Sequence, residues 1–349
     1  MIITLTGYYG YKNYGDDLML LALVKNLLHS SNNIKINIIS KSPLPFFKNE
    51  DRVRCYYFKK SAKFYNILVF FKAVIQSKIL VWGGGTCFTN EDGVSIRYFL
   101  LAKLLNKKIG YIGIGVGNIN GLNKLKTKII LQLSNIITVR DSYSFLKVKK
   151  LLNKKIKKLF LTADLTYLLD FKVGSNKNDY ILISLHNLKR YFPNKEISLR
   201  RSYLLEFIKK QKKQKEILIM PLCEEDYDEN ILLFNQIKNT ISTRVKLVLN
   251  EDPEERTNII SAASLYYTER LHGFIVAYFA NTPCIPLKYS KKFDAFIINE
   301  SIKNIFTINQ KKLEEIKNME LHKKPIFNNQ SINKSIAKKN ISLLIKMLN

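Results

Sequence analysis

The chain has few of the residues that build metal sites and disulfide frameworks. It contains only four cysteines and four histidines, and no two of the cysteines have CxxC spacing. This scarcity argues against a structural zinc site or a disulfide-stapled domain, so we expect no metal and a reducing compartment.

Long hydrophobic runs are also missing. The most apolar segment, residues 67–82, is interrupted by Lys72, Gln76 and Lys78. It is shorter than the roughly 20 apolar residues that span a bilayer. The N-terminus has no basic region before an apolar stretch and is typical of a first strand, so no signal peptide is expected. We therefore expect a cytoplasmic protein, with the inner face of the cell membrane as its candidate membrane contact.

Acidic residues are scarce relative to basic ones. The chain has 57 Lys and Arg against 28 Asp and Glu, a formal net charge of +29. Such a field attracts nucleic acid, anionic membranes or phosphorylated substrates. The excess is mostly lysine and is spread along the chain with many Asn and Ile, a pattern that an A/T-rich genome also produces. No zinc finger, aromatic RNA-binding motif or basic stripe accompanies it, so nucleic acid is not an expected partner.

Length and patterning indicate two domains. A chain of 349 residues exceeds one ordinary core, and 46% hydrophobic with 24% charged residues is typical of a globular protein. Apolar runs alternate with helical segments in both halves, which predicts α/β domains with parallel sheets. A polar linker at 171–180 gives domains 1–172 and 173–349, the second including a terminal helix over 331–348. Two doubly wound, Rossmann-like domains facing a cleft would bind ligands at the carboxyl ends of their strands.

The segment GYYGYKNYGDD, residues 7–17, joins the first predicted strand to the first helix. Its glycines permit a tight turn and close approach of the backbone to a ligand. Asp16 is predicted to cap the helix, which leaves Asp17 to bind sugar hydroxyls or to act as a base. The candidate binding residues of this segment are Gly10, Asn13, Gly15 and Asp16.

Three further segments follow predicted strands. WGGGTCFTNEDG (82–93) places glycines and acids after a buried strand, as turn residues or as hydroxyl-binding groups. GIGVG (113–117) lacks the spacing and the ribose-binding acid of a dinucleotide fingerprint. TVRDSYS (138–144) predicts a local Arg–Asp pair that caps a helix, with a ligand role as the alternative. The candidate binding residues of these segments are Gly83, Gly84, Gly85, Asp92, Gly115 and Arg140.

The segment YYTERLHGFIVAYFANTPCIPLKY, residues 266–289, carries the strongest indication of chemistry. Thr268 is expected to cap a buried apolar helix, with Arg270 and His272 in its first turn. Cationic side chains beside free helix N–H groups predict a pocket for phosphate and carboxylate. A core histidine satisfied by hydrogen bonds is the alternative for His272. Of the four histidines, only His186 and His272 are expected to reach the cleft.

In this order, the motifs resemble those of the polysaccharide pyruvyltransferase family. The resemblance covers most of the chain and is carried by GYYGYKNYGDD (7–17), GGG (83–85), GIGVG (113–117), TVRDSYS (138–144), TAD (162–164) and ERLHGFIVAYFANTPCIPLKYSKKFDAF (269–296). It implies a two-domain, GT-B-like fold and transfer of pyruvate from phosphoenolpyruvate to two hydroxyls of a sugar, giving a ketal. Family acceptors are sugars of capsules, exopolysaccharides or secondary cell-wall polymers, and they are often lipid-linked.

The chain departs from the family pattern at two places. His186 stands where members commonly carry arginine, and it is kept as a candidate substrate-binding residue. Asn90-Glu91-Asp92 stands where members carry Gln-Asp.

Ketal formation needs an acid for the methylene carbon, cations for the carboxylate and phosphate, and a base for the attacking hydroxyls. Together with the resemblance, this need assigns His272 as the acid, Arg270 as the anion clamp and Asp17 as the base, with Asp92 next. Lys288 is expected either to assist Arg270 or to be a surface charge. No metal is required, and phosphoenolpyruvate is a donor substrate rather than a cofactor.

Two other functions stay open at this point. A glycosyltransferase of the same architecture would bind a nucleoside diphosphate in its second domain, where Glu224, Glu225 and Asp226 are candidates for a ribose-binding acid. A non-enzymatic basic protein would bind nucleic acid or membrane with a steep salt dependence. The pyruvyltransferase interpretation adds a saccharide acceptor and peripheral contact with an anionic membrane, which would present a lipid-linked acceptor.

Overall fold

A computed structural model describes residues 1–90, 96–152, 158–171, 178–210, 215–241, 244–302, 307–318 and 330–348. The chain divides into two compact units, residues 1–170 with 331–349, and residues 171–330. Each unit contains a parallel sheet whose strands alternate along the chain with helices, which confirms the predicted fold class.

The first unit begins with a strand, a helix and a second strand, and alternation continues to residue 161. Its strands are β1 (Ile2–Thr6), β2 (Lys35–Ser40), β3 (Val53–Tyr57), β4 (Ile79–Gly83), β5 (Thr86–Phe88), β6 (Lys108–Val116), β7 (Ile136–Val139) and β8 (Leu159–Leu161). Its helices up to this point are α1 (Tyr14–Ser30), α2 (Lys63–Val74), α3 (Ile96–Leu104), α4 (Gly121–Leu133) and α5 (Ser142–Leu152). The strand order is β3-β2-β1-β4-β6-β7-β8, and β5 pairs with β6 outside this path.

Helices α2 to α5 cover one face of this sheet. Their buried side chains share a single hydrophobic cluster with β4, β6 and β7, to which the four helices contribute Phe70, Phe99, Ile130 and Val148 among others. Crossovers between parallel strands are right-handed, so the direction in which the chain crosses the sheet decides which face each connecting helix covers. The chain crosses the sheet in one direction from β1 to β3 and in the opposite direction from β3 to β8. Helix α1 therefore lies on the opposite face.

The second unit repeats the architecture with six strands. These are β9 (Tyr180–Ser184), β10 (Glu216–Ile219), β11 (Val245–Leu247), β12 (Leu265–Thr268), β13 (Cys284–Lys288) and β14 (Ile308–Asn309). The helices are α6 (Asn194–Lys209), α7 (Tyr227–Thr240), α8 (Pro253–Ala262), α9 (Leu271–Phe279) and α10 (Lys291–Asn299). The strand order is β11-β10-β9-β12-β13-β14. Its core is formed by apolar residues of the strands and of α6 and α7, such as Ile183, Leu204, Ile219 and Leu233.

Two helices begin at residues other than the expected caps. Asn13 caps α1, because its backbone is extended and its side chain accepts a hydrogen bond from the Gly15 amide. The expectation that Asp16 caps this helix is wrong, since Asp16 already lies inside the first turn. The N-cap of α9 is Arg270 rather than Thr268, whose hydroxyl instead accepts a hydrogen bond from the Arg270 amide.

The terminal helix α11 (Gln330–Leu348) belongs to the first unit, whereas the sequence predicts it in the second domain. The reason is a buried polar contact. The Asn340 side chain donates to the Ala163 carbonyl and accepts from the hydroxyls of Thr138 and Thr162. Thr138 alternates along β7 with Ile137 and Val139, which face α2 to α5. Helix α11 therefore lies on the face opposite those four helices.

We predict that Asn340→Leu destabilises the first unit by about 2–4 kcal/mol, because the buried Thr138 hydroxyl and Ala163 carbonyl lose their hydrogen bonds to the Asn340 side chain and the Thr162 hydroxyl keeps only the Val139 carbonyl. The only tryptophan of the chain, Trp82, lies in this unit and is buried, so its fluorescence during urea unfolding reports the change. Lys339→Leu, at an exposed neighbouring position, should change the stability by less than about 0.5 kcal/mol. Equal losses in the two variants would contradict the proposed role of Asn340.

Candidate functional site

The sheet of the first unit changes its winding direction between β1 and β4. From β1 the chain continues to β2 and β3 on one side, whereas β4 leads to β6, β7 and β8 on the other. The loop after one of these strands turns to one face of the sheet, and the loop after its neighbour turns to the other face. The two loops therefore leave a crevice between them, and doubly wound proteins bind ligands there. The loops in question are residues 7–13 and 84–85, the Gly-rich segments that the sequence indicates.

The loop after β1 is held in place from two sides. Gly10 has a left-handed φ of 70°, and a Cβ there would lie 2.8 Å from the Ser42 backbone nitrogen. The Ser42 hydroxyl donates to the Gly10 carbonyl at 2.6 Å, and the Gly10 amide donates to Oδ1 of Asp17 at 3.0 Å. Asp17 is buried, so this candidate base also serves to position the loop.

The glycines after β4 allow side chains of the first loop and of α1 to approach the backbone. The Tyr9 hydroxyl donates to the Gly83 carbonyl at 2.6 Å, and a Cβ on Gly83 would lie 2.5 Å from that hydroxyl oxygen. Gly84 and Gly85 both have φ near 70°, a region that favours glycine. A Cβ on Gly85 would lie 2.9 Å from Oδ1 of Asp16, so the Asp16 carboxylate lies directly against this turn.

Arg140, at the end of β7, forms a largely buried ion pair at the same edge of the sheet. Its Nη1 donates to Oδ2 of Asp164 at 2.8 Å, and its Nη2 donates to the Thr86 hydroxyl at 3.3 Å. A Cβ on Gly115 would lie 3.2 Å from the guanidinium nitrogens. Burial alone would lower the pKa of Arg140, but Asp164, Asp141 and Asp16 raise it, so the group stays charged.

The sequence predicted that Arg140 pairs with its neighbour Asp141, and the structure divides that role. Asp141 caps α5 by accepting a hydrogen bond from the Ser144 amide at 2.7 Å. Arg140 is 3.8 Å from Asp141 but forms its shorter contact with Asp164, 24 residues away.

Asp92 lies outside the described residues.

The second unit has its own change of winding, between β9 and β12. From β9 the chain continues to β10 and β11, whereas β12 on the other side leads to β13 and β14. His186 follows β9 and Arg270 follows β12, so the two residues that the sequence singles out in this half lie at the switch point.

A buried carboxylate, Asp226, joins these residues. His186 Nδ1 and the Asn187 amide both lie 3.0 Å from Asp226 Oδ1. Arg270 donates from Nη2 to Oδ1 at 2.6 Å and from Nε to Oδ2 at 2.8 Å, and Nη2 also reaches Glu225 at 2.6 Å. Burial alone would raise the pKa of Asp226, but His186 and Arg270 hold it below its usual value. The carboxylate therefore stays ionised and orients the Arg270 guanidinium and the His186 imidazole.

A second buried carboxylate, Glu269, fixes the backbone beside His186. Its Oε2 accepts from the His186 amide at 2.7 Å and from Arg200 Nη1 at 2.8 Å, while the Tyr267 hydroxyl donates to Oε1 at 2.9 Å. Arg200 has no exposed surface and also donates to Glu229 at 2.9 Å. Removal of one partner from a buried pair of this kind typically costs about 3–5 kcal/mol, so this network can hold the imidazole rigidly.

The protonation of His186 follows from these contacts. Burial lowers its pKa below 6.5, although the Asp226 carboxylate opposes the shift. Because a carboxylate only accepts, Nδ1 carries the proton in the neutral ring and Nε2 holds a lone pair. The ring packs against Tyr289, with 4.9 Å between centroids, and Tyr289 packs against the half-exposed Tyr191 at 4.8 Å.

His272 lies in the first turn of α9, directly after the Arg270 N-cap. This turn packs closely on the sheet, because a Cβ on Gly273 would lie 2.5 Å from the Tyr266 hydroxyl oxygen. Lys288 ends β13 and forms an ion pair of 2.6 Å with Asp294 in α10. Lys288 and Arg270 are therefore both paired with carboxylates.

A cation could in principle be shared by His186, Glu225 and Asp226, whose ligand atoms lie within 4.8 Å of one another. Arg270 contacts both carboxylates and provides their positive charge. The donor set is thus satisfied by a guanidinium, and no metal is needed to explain it.

Sequence reasoning missed the connecting role of two residues in this cluster. From the sequence alone, Asp226 is predicted only as a candidate ribose-binding acid, and Glu269 only as part of a motif. Asp226 lies 40 residues from His186 and 44 from Arg270, so local spacing carries no signal of these contacts. Only its place just after β10, beside β9 in the sheet, could have indicated them.

Solved structures with the same fold include UDP-GlcNAc 2-epimerases and a protein in complex with UDP and glucose. UDP-GlcNAc 2-epimerase from Methanocaldococcus jannaschii matches with a TM-score of 0.68 and 13% identity over 99% of this chain and 100% of that chain. The epimerase from Neisseria meningitidis bound to UDP-GlcNAc matches with a TM-score of 0.61 and 12% identity over 99% of both chains. HepE from Anabaena, in complex with UDP and glucose, matches with a TM-score of 0.59 and 10% identity over 100% and 99%. This likeness establishes a GT-B-like fold.

A search of curated protein sequences gives no significant match. Among the helices of the described residues, none has both the length and the apolar character that crossing a membrane requires. The family model for polysaccharide pyruvyl transferase matches residues 13–291, which include Gly84, Gly85, His186 and Arg270 but not residues 7–12 of the first loop. On this match, the chain belongs to the polysaccharide pyruvyl transferase family.

Proposed function

We propose that this protein transfers pyruvate from phosphoenolpyruvate to two hydroxyls of a sugar in a surface polysaccharide or its lipid-linked precursor. The observation that carries the proposal is the family match over residues 13–291. The arrangement of His186, Arg270 and His272 around the switch point of the second unit supports it, because pyruvyl transfer needs proton donors and cations.

The donor is proposed to bind at the second unit. Phosphoenolpyruvate carries a phosphate and a carboxylate, and the first-turn amides of α9 offer N–H donors and a positive dipole end to one of them. Arg270 contributes through Nη1, since Nε and Nη2 contact Asp226 and Glu225. Glu225 is half-exposed, and its displacement from Arg270 would release a second donor for the anion.

Two of the proton steps are assigned to the two imidazoles. His272 protonates the methylene carbon of phosphoenolpyruvate, which gives an oxocarbenium-like centre at the adjacent carbon. One sugar hydroxyl attacks this centre, phosphate leaves, and the second hydroxyl closes the ketal. Of the two hydroxyl protons, one replaces the proton that the acid gave and the other leaves with the phosphate. We assign the uptake of one of them to His186, whose neutral ring has Nε2 as an acceptor.

The acceptor is proposed to bind at the first unit. Asp16 and Asp17 present carboxylates beside the loops at 7–13 and 84–85, and such groups accept hydrogen bonds from sugar hydroxyls. Asp17 is the proposed base for an attacking hydroxyl, with Asp92 as the alternative. Arg140 is proposed to fix this edge of the sheet, because its charge is already paired with Asp164.

A nucleotide-sugar enzyme is the second candidate. Full-length likeness to epimerases solved with UDP and UDP-GlcNAc favours it, since the same fold has a nucleotide site in those proteins. On this alternative, Glu224 or Glu225 would contact the ribose, because Asp226 already accepts hydrogen bonds from three neighbouring residues.

We predict that His272→Ala lowers kcat for phosphate release from phosphoenolpyruvate and acceptor by about 10²–10⁴-fold, the usual contribution of a general acid. Stability should remain close to that of the wild type, because the side chain is only partly buried. His29→Ala, at the exposed end of α1, is the matched control and should retain full activity. A near-normal rate in His272→Ala would remove this residue from the acid role.

We predict that phosphoenolpyruvate raises the melting temperature of the protein and that UDP-GlcNAc does not. A ligand at 100 times its Kd adds about 2.7 kcal/mol, which is several degrees for a domain of this size. Arg270→Lys should abolish the shift, because an ammonium cannot reproduce the forked contacts of a guanidinium. Arg244→Lys, exposed in the same unit, should preserve it. Stabilisation by UDP-GlcNAc alone would establish the second candidate instead.

We predict that kcat/KM falls at low pH and that His186→Gln removes this fall. The neutral imidazole is the proposed acceptor, so activity falls as the pH drops through the lowered pKa of His186, below 6.5. Stability follows the same sign, because the unfolded chain binds this proton more readily than the folded one. The free energy of unfolding is fully retained above 6.5 and falls towards the folded pKa. If kcat/KM of His186→Gln falls at low pH as it does in the wild type, a group other than His186 causes the fall.

A further inference from the structure

The layer formed by α2, α3, α4 and α5 has an unusual outer surface. The side of each helix that faces away from the sheet carries large apolar residues, and six of them define what we call the outer apolar face: Phe64, Leu68, Leu104, Leu122, Leu125 and Leu146. Leu104 is 82% exposed, Phe64 75% and Leu122 74%. These helices already bury their inner sides in the sheet, so the fold of the unit does not account for a second apolar side.

The four helices form one continuous layer. Phe70 of α2 packs on Tyr98 of α3, with 4.9 Å between ring centroids. Helix α4 packs between α3 and α5. Because packed helices lie about 8–10 Å apart, the layer is roughly 30 Å wide. Exposed apolar residues on all four helices thus make a broad surface rather than scattered single positions.

The charge of this layer has one sign. Helices α2 to α5 contain ten Lys and Arg residues and no Asp or Glu. A genome-wide bias towards lysine would act on both units alike. In the second unit, however, α6, α7, α8 and α10 each carry acidic residues in the first turn. Acidic residues are therefore absent from the whole layer that also exposes apolar residues. They are absent from α9 and α11 as well, but α1 and the other four helices of the second unit contain them.

We propose that the outer apolar face and its surrounding lysines dock the protein on an anionic lipid bilayer. An interfacial surface of this kind inserts apolar side chains below the headgroups, while lysines extend their ammonium groups to anionic lipids. Nucleic acid would satisfy the lysines but leave Leu104 and Leu122 in water. If a second copy of this chain paired through the same face, the ten Lys and Arg residues of α2 to α5 in one copy would face the same ten in the other, and the like charges would repel. The bilayer fits both the charge and the apolar surface.

This proposal does not depend on the reaction, so its test contains neither donor nor acceptor. Purified protein is co-sedimented with vesicles of phosphatidylcholine and phosphatidylglycerol, and with vesicles of phosphatidylcholine alone. Binding is expected only to the anionic vesicles and should weaken with added salt.

Two sets of substitutions separate the two contributions to binding. The triple variant Leu104→Gln, Leu122→Gln, Leu125→Gln should lower the partition coefficient at least about tenfold. The matched variant Leu232→Gln, Leu249→Gln, Ile298→Gln changes exposed apolar residues of the second unit and should bind normally.

For the charges, Lys103→Gln, Lys124→Gln, Lys126→Gln should weaken binding about fivefold for each lysine. The control Lys338→Gln, Lys339→Gln, Lys346→Gln removes the same charge from exposed positions of α11, on the opposite face of the sheet, and should have a much smaller effect.

Three results would overturn the proposal. One is no binding to anionic vesicles, and another is equal loss in the outer-face variants and their controls. The third is a dimer in sedimentation velocity that the leucine variant dissociates, which would make the face a contact between copies of this chain. Circular dichroism of each variant excludes unfolding as the cause of lost binding.

Discussion

The side chain of Asp226 is an ionised carboxylate with no exposed surface, and the candidate site of the second unit depends on it. Such a group is stable only when its charge is paired and its oxygens accept hydrogen bonds. Arg270, His186 and the Asn187 amide meet that requirement. The same contacts fix the tautomer of His186 and hold Arg270 at the start of α9. Geometry of the site and stability of the unit are therefore coupled through one residue.

Parallel strand order explains why chemistry-bearing residues converge in each unit. In the first, β1 and β4 are neighbours although 72 residues separate Thr6 from Ile79, roughly the length of a small domain. Their Gly-rich loops meet because both strands end at the same edge, and glycine permits Tyr9 and Asp16 to approach the backbone. In the second unit, β9 and β12 bring His186 and Glu269 together in the same way. One architectural rule thus positions two separate sets of residues.

Much of the fold could be predicted from the sequence because long apolar strands and amphipathic helices leave a local signal. Some strands lack that signal: β3 is a partly exposed edge strand interrupted by Arg54, and β14 has only two residues. The site was predictable only in part. Motifs indicated His186, Arg270 and His272, but the partners Asp226 and Arg200 are distant in sequence and become neighbours only through the order of the strands. Placement of α11 likewise depends on Asn340, whose partners lie in β7 and after β8.

Charge in this protein has two distinct physical roles. Three buried or largely buried arginines are paired with carboxylates: Arg140 contacts Asp164, Arg200 contacts Glu229 and Glu269, and Arg270 contacts Asp226 and Glu225. These pairs contribute little net field, because each guanidinium is close to an opposite charge. The formal charge of +29 therefore resides on exposed lysines, whose field acts at longer range and is screened by salt. If the proposed anionic donor binds at α9, local hydrogen-bond geometry rather than the long-range field recognises it, whereas the excess lysines are suited to extended anionic surfaces such as the proposed bilayer.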